Sequence, residues 1–186
     1  YFGLAPLFMV YYPVYWLTGR IPTELLAGTL LSVFAMIAVF GAVHGLYRTF
    51  RPRANLVLFL VGEAAVVFGS FLYLMQASAS FYYLPLICGT GWLAAFTAFS
   101  CFACLKDRGR GRMCLFALAG ISVVMLVLSR PNMVLLAAAF AAPLFLRVLF
   151  DRQAAFGDKL QGVLSFLVPV LLGGIGVMYY NQIRFG

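Results

Sequence analysis

The sequence Lys106-Asp107-Arg108-Gly109-Arg110-Gly111-Arg112 decides the fold. It places four cations and one anion between apolar stretches of more than twenty residues on either side. A cation at the centre of a bilayer costs roughly 2.5 to 3.5 kcal/mol, so this segment must reach water. Short loops rich in Lys and Arg stay on the cytoplasmic side of a membrane. The segment therefore indicates a cytoplasmic turn between two membrane-spanning helices.

The composition of the whole chain also indicates a membrane protein. Of its 186 residues, 65% are hydrophobic and 10% are charged, and the formal net charge is +8. A soluble domain carries about 25% charged residues, so this chain has too little polar surface to dissolve. A nucleic-acid-binding protein would gather its cations on one folded face, whereas here they punctuate apolar segments. We therefore expect the lipid bilayer as its partner, and no nucleic acid.

Six apolar segments are long enough to cross a membrane. A helix rises 1.5 Å per residue, so about 20 residues cross the roughly 30 Å hydrocarbon core. The stretch from Met113 to Phe150 is too long for one crossing, and Ser129-Arg130-Pro131 divides it, because proline interrupts the helical hydrogen bonds and Arg seeks the interface. The predicted spans are 24–47, 55–77, 82–105, 113–129, 131–150 and 160–180.

The segment before the first predicted span is apolar but short. As a helix, Leu4 to Thr18 would reach about 22 Å, and it contains two prolines. Its aromatic residues are of the kinds that favour the membrane interface. We expect residues 1–20 to form an extracytoplasmic juxtamembrane element, interfacial or re-entrant, with a short spanning helix as the alternative.

These segments predict an all-α polytopic membrane protein, a bundle of about six transmembrane helices plus the juxtamembrane element, in a single transmembrane domain. Strict alternation of the six spans puts ten cations on one side and three on the other, Arg20, Arg130 and Arg184. The excess of cations predicts that loops 48–53, 106–112 and 151–159 are cytoplasmic.

The chain lacks an initiator Met and stops after an apolar run, so we expect an internal fragment of a longer protein.

Glu63 is the one carboxylate in the interior of a predicted span. An intramembrane carboxylate is a candidate for proton transfer or for pairing with a cation. The alternative is a protonated or hydrogen-bonded Glu that faces small residues such as Gly62. The lone His44 makes no metal site, and a hydrogen-bonded interface residue is the simpler interpretation.

Three polar residues on the predicted extracytoplasmic side are candidates for ligand binding. Arg130 would either bind a lipid phosphate or anchor its turn. Asn181 and Arg184 together offer a phosphate or glycan contact, or an interfacial anchor. The sequence contains no complete catalytic set and no metal site, since Cys101 and Cys104 have the spacing of half a zinc site without a second pair. We therefore assign no catalytic residue and no cofactor to the chain.

Several short phrases, in this order, resemble the GT-C membrane glycosyltransferases, which include the protein mannosyltransferases and the lipid A aminoarabinose transferases. The phrases are Tyr1-Phe2-Gly3-Leu4-Ala5-Pro6-Leu7, Tyr11-Tyr12-Pro13, Leu17-Thr18-Gly19-Arg20, Leu128-Ser129-Arg130-Pro131 and Tyr180-Asn181-Gln182-Ile183-Arg184-Phe185-Gly186. The resemblance implies a bacterial inner (plasma) membrane enzyme that transfers a sugar from a polyprenyl-phosphate donor to an extracytoplasmic acceptor. Arg130, Asn181 and Arg184 would contact the donor phosphate or the acceptor.

The resemblance also implies what the chain lacks. The catalytic carboxylate of that family would lie upstream of Tyr1, and a divalent metal assists some members. Two other interpretations compete with the glycosyltransferase. The first is a transporter or flippase segment in which Glu63 is the coupling residue, and the second is a non-catalytic membrane scaffold.

Overall fold

The regular structure of the chain is helical throughout the residues that can be described. The computed structural model describes residues 3–50, 56–68, 82–107, 109–133, 135–136, 138–139, 146 and 156–185. After a shorter N-terminal helix come five helices, α1 to α5: Glu24–Phe50, Leu56–Phe68, Leu84–Leu105, Arg110–Ser129 and Phe156–Phe185. Four of these, α1, α3, α4 and α5, are long and apolar enough to cross a membrane. The predicted all-α membrane fold is confirmed.

Two predicted spans fall partly outside the described residues. Helix α2 accounts for Leu56–Phe68 of the span expected at 55–77. The span expected at 131–150 begins with a short 3₁₀ helix, Pro131–Met133, and most of its remainder lies outside the described residues. Helix α4 ends at Ser129, and Arg130 has an extended backbone with φ −152° and ψ 111°. The helix ends where the sequence predicts, because Pro131 disfavours the helical backbone conformation in the residue before it, Arg130.

The N-terminal helix consists of three consecutive pieces. An α-helical turn, Leu4–Pro6, continues into the π-helix Leu7–Tyr11 and then into the α-helix Tyr12–Thr18. It ends because Gly19 adopts the left-handed conformation (φ 68°) that glycine enters at little cost. The Gly19 N–H then bonds to the Tyr15 carbonyl at 2.8 Å.

Helices α1 and α3 pack side by side and run in the same direction. Gly91 of α3 faces Phe34 and Ala35 of α1, whereas Gly45 of α1 faces Ala98 and Cys101 of α3. The residue numbers therefore rise together along the two helices. Small residues in the contact let the two backbones approach closely; a Cβ added to Gly45 would lie only 2.8 Å from the Cys101 Cβ.

Helices α4 and α5 also form a parallel pair. Phe116 packs on Gly162 near the start of both helices, and Val124 packs on Gly173 further along. Helix α3 contacts α4, so the order of neighbours across the bundle is α1, α3, α4, α5, with α2 against α1.

The two ends of this bundle differ in charge. The N-terminal helix packs on the start of α3 and the end of α4, and we call this side of the bundle the aromatic end. The described cations of the opposite side, the basic end, are Arg48, Lys106, Arg110, Arg112 and Lys159. Those of the aromatic end are Arg20, Arg130 and Arg184. Among the described residues, five cations therefore lie at the basic end and three at the aromatic end.

Candidate functional site

A cluster of sulfur-containing and polar side chains fastens the N-terminal helix to the bundle. The Met9 Sδ accepts a hydrogen bond from the Trp92 Nε1–H at 3.0 Å and another from the Cys88 thiol at 3.6 Å. The Ser129 hydroxyl lies 3.3 Å from the Cys88 Sγ and donates to the Met125 carbonyl at 2.8 Å. We call Met9, Cys88, Trp92 and Ser129 the sulfur cluster. It joins the N-terminal helix to α3 and to the end of α4.

Beside this cluster, a cavity of about 220 Å³ lies between the start of the N-terminal helix, the end of α4 and the end of α5. Helix α5 supplies its polar groups, and the other two helices supply mainly apolar side chains. Its lining residues are Leu4, Val127, Leu128, Pro131, Val177, Tyr180, Asn181 and Arg184. We call it the Arg184 cavity.

The Arg184 cavity brings together two of the three predicted binding residues. Asn181 and Arg184 both line it, and the Arg184 Nη1–H donates to the Tyr180 hydroxyl at 3.2 Å, one helical turn away. Arg130 is exposed and borders the cavity through its neighbour Pro131, which lines it. The backbone of Arg130 is held by its N–H to the Leu126 carbonyl (2.9 Å) and by its own carbonyl, which accepts the Met133 N–H (3.0 Å).

The chemistry of the Arg184 cavity suits an anion that has an apolar part. A guanidinium and a carboxamide supply N–H donors, and charge-assisted bonds to carboxylate or phosphate are the stronger kind. Among the described residues, none that lines the cavity is acidic. A dry cavity of about 150 Å³ holds benzene, so this one has room for a small organic anion.

A second, smaller cavity adjoins the same part of the N-terminal helix. It measures about 100 Å³ and is lined by Gly3, Leu4, Pro6, Leu7, Tyr11, Leu84 and Pro85. We call it the Leu84 cavity. The buried Tyr11 hydroxyl has no hydrogen-bond partner within the described part of the chain. Burial, and secondarily the negative charge of Glu24, raises the pKa of Tyr11, so its phenol stays neutral at physiological pH.

The backbone of Glu63 is at the middle of α2, and α2 packs against α1. Among the described residues, none of α2 lines the Arg184 cavity or the Leu84 cavity. His44 lies among aromatic rings, with centroid distances of 5.5 Å to Phe59 and 6.2 Å to Phe102. In the described part of the chain, no group of His, Cys, Asp and Glu could hold a metal ion.

The sulfur cluster cannot be recognised from the sequence. Met9 lies 79 residues from Cys88 and 83 residues from Trp92, so no local spacing relates them. A Met, a Cys and a Trp in apolar segments are typical of any membrane helix. Only the packing of the N-terminal helix on α3 and α4 brings them into contact.

The chain also matches a known protein family over more than half of its length. A family model described as the LrgB-like family matches residues 8–127. Comparisons with curated proteins and with solved structures give no match. The family match overturns the resemblance to GT-C glycosyltransferases. The phrases that suggested it consist largely of aromatic residues, Arg and Pro near helix ends, which many helical membrane proteins place at the interface.

Proposed function

Because the chain belongs to the LrgB-like family, we propose that it forms part of a membrane transporter for small organic anions. The family is a membrane protein family connected with transport and with the regulation of murein hydrolases. Transport is favoured here over a scaffold because the bundle contains a cavity with the chemistry of a binding site. An integral membrane scaffold would not need one.

The Arg184 cavity is the observation that carries this proposal. Its donors, Asn181 and Arg184, would bind a carboxylate or phosphate group, and Arg130 at its edge would attract an anion to it. The walls formed by Val127, Leu128 and Val177 would contact the apolar part of the solute. Cations concentrate on the cytoplasmic side of membrane proteins, so we place the basic end in the cytoplasm and the cavity on the extracytoplasmic side.

Glu63 is the proposed coupling residue of this transporter. A carboxylate within an apolar helix is costly and commonly marks a proton pathway. Helix α2, which carries it, packs against α1. Protonation of Glu63 would link the movement of protons to the movement of the anion.

The test is binding and flux of n-butyl phosphate, an anion with a short apolar chain. We expect the full-length protein in detergent to bind it, and Arg184→Ala to weaken the affinity at least tenfold, because a charged hydrogen bond contributes about 1.5 to 3 kcal/mol. The matched control is Arg20→Ala, at the same end but away from the cavity lining, which should leave the affinity unchanged. Arg130→Ala should slow association more than it weakens binding.

Flux of the same probe into liposomes that contain the protein separates transport from scaffolding. Uptake by the wild type, together with slower uptake by Arg184→Ala, supports the transporter. Equal affinity in the wild type and in Arg184→Ala overturns the assignment of the cavity, and absence of both binding and uptake leaves the scaffold as the better interpretation.

A further inference from the structure

We infer that Leu4 determines how long an apolar chain the transported anion can carry. This inference rests on the proposed function, because it assigns the ligand's charged group to the Arg184 cavity. It adds a specificity-determining residue and limits the ligand class to anions with a short apolar chain.

Leu4 is the residue that the linings of the two cavities share. On one side it faces the Arg184 cavity, with Val127, Leu128 and Pro131. On the other it faces the Leu84 cavity, with Leu84 and Pro85. Leu4 therefore lies between a cavity that has a cationic group and one that is almost wholly apolar.

The backbone that carries Leu4 has little room to move. Gly3 packs directly against the carbonyl groups of Leu128 and Ser129, and a Cβ added there would lie 3.0 Å from the Leu128 oxygen. Ala5 on the other side of Leu4 is fully buried. Met9, one helical turn further on, is held by Trp92 and Cys88. Because this backbone is held in place, we assign the partition between the cavities to the Leu4 side chain.

The two volumes set the expected chain lengths. If about 150 Å³ accommodates the six carbons of benzene, the 220 Å³ of the Arg184 cavity holds roughly nine non-hydrogen atoms. A phosphate group takes five of these and leaves space for about four carbons. The 100 Å³ of the Leu84 cavity adds space for about four more, which are accessible only when the Leu4 side chain is removed.

The experiment measures affinity against chain length for ethyl, butyl, hexyl and octyl phosphate, with the full-length protein and below the micellar concentration of each probe. In the wild type we expect affinity to rise about fourfold per methylene up to butyl phosphate and then to stop rising. In Leu4→Ala the rise should continue to octyl phosphate. In Leu4→Phe the affinity should stop rising at a chain shorter than butyl. Because the two variants should change the chain-length limit in opposite directions, a folding defect in one of them cannot account for both results.

Two further variants make the result specific. Leu7→Ala is the matched control, because Leu7 lines the Leu84 cavity but not the Arg184 cavity; its limit should remain at butyl. Addition of Arg184→Ala should abolish the gain seen in Leu4→Ala, which excludes partitioning of octyl phosphate into detergent. The same chain-length limit in the wild type, Leu4→Ala and Leu4→Phe overturns the inference, yet butyl phosphate binding would still support the proposed function. Failure of every alkyl phosphate to bind the wild type overturns both.

Discussion

Single glycines determine how closely the helices of this bundle approach each other. Gly120 of α4 lies directly against the Phe166 carbonyl of α5, and Pro169 follows within the same turn. Proline inside a helix removes one N–H donor and crowds the preceding carbonyls, and α4 meets α5 at the turn that contains Pro169. Glycine at position 120 leaves space for the α5 backbone, and any side chain at this position would occupy that space.

We therefore expect Gly120→Ala to destabilise the protein by about 1 to 3 kcal/mol, because the added Cβ would overlap a carbonyl that cannot rotate away. Thermal unfolding in detergent measures the change. Gly174→Ala in α5 is the control, since a Cβ there has nothing within 4 Å and Ala favours a helix more than Gly does. Equal unfolding midpoints for the two variants would contradict the assigned contact.

The sequence shows where glycines occur but not which of them meet a neighbouring helix. Gly173, Gly174 and Gly176 lie within one turn of α5, yet Gly173 packs on Val124 whereas Gly174 and Gly176 have nothing within 4 Å. The difference depends on the rotation of α5 about its own axis. In a span that is apolar on all sides, the pattern of hydrophobic residues carries little information about that rotation.

At the scale of elements, the N-terminal helix depends on its contacts with α3 and α4. It buries Ala5 and Val10 near its start and exposes large side chains such as Trp16 and Leu17 near its end. An isolated helix of about fifteen residues is marginally stable. Its position over the two cavities is therefore maintained by the sulfur cluster and by the packing of Gly3 on α4.

Met9→Leu tests this dependence, because leucine keeps the volume but cannot accept a hydrogen bond. The Trp92 N–H would remain buried without its acceptor, which costs about 1 to 3 kcal/mol. We expect a lower unfolding midpoint and a shifted Trp92 emission, read in a Trp16→Phe background that leaves Trp92 as the single tryptophan of the 186 residues. Met178→Leu is the control, since Met178 is 75% exposed. Unchanged emission and midpoint in Met9→Leu would show that the cluster does not stabilise the helix.

At the scale of the whole molecule, the proposed function requires Glu63 and the Arg184 cavity to act together although they lie on different helices. With an imposed pH gradient, we expect the rate of butyl phosphate uptake by the wild type to depend on the size and direction of that gradient. Glu63→Gln should remove that dependence and leave downhill exchange intact, because the amide cannot carry a proton. Uptake is measured in liposomes at matched and unmatched internal pH.

Glu24→Gln is the control for this experiment, since Glu24 begins α1 outside the apolar part of the helix. It should leave the gradient dependence unchanged. Persistent dependence in Glu63→Gln would contradict the coupling role of Glu63 and assign proton transfer to another group. Uptake by the wild type that does not depend on the gradient would favour an uncoupled channel.

The class of fold is predictable from the sequence, but the pairing of helices is not. The charges at Lys106–Arg112 and the apolar lengths indicate membrane helices because hydrocarbon excludes cations and requires each span to satisfy its own backbone. Nothing in these patterns indicates that α1 pairs with α3 in parallel. Likewise, Asn181 and Arg184 are recognisable as polar residues near a helix end, whereas the role of Leu4 depends on contacts more than a hundred residues away along the chain.

The parallel packing of α1 on α3 has a consequence for biosynthesis. When the last residue of α1 leaves the ribosome, the helix that will cover its buried side has not been made. Translation proceeds at about 5 to 20 residues per second, so roughly 3 to 11 s pass between Phe50 and Leu105. During that interval Ala35, Ala38 and Ala42, which are buried in the finished bundle, face lipid or the insertion machinery. A newly made α1 therefore has to remain beside its point of entry into the membrane until α3 arrives.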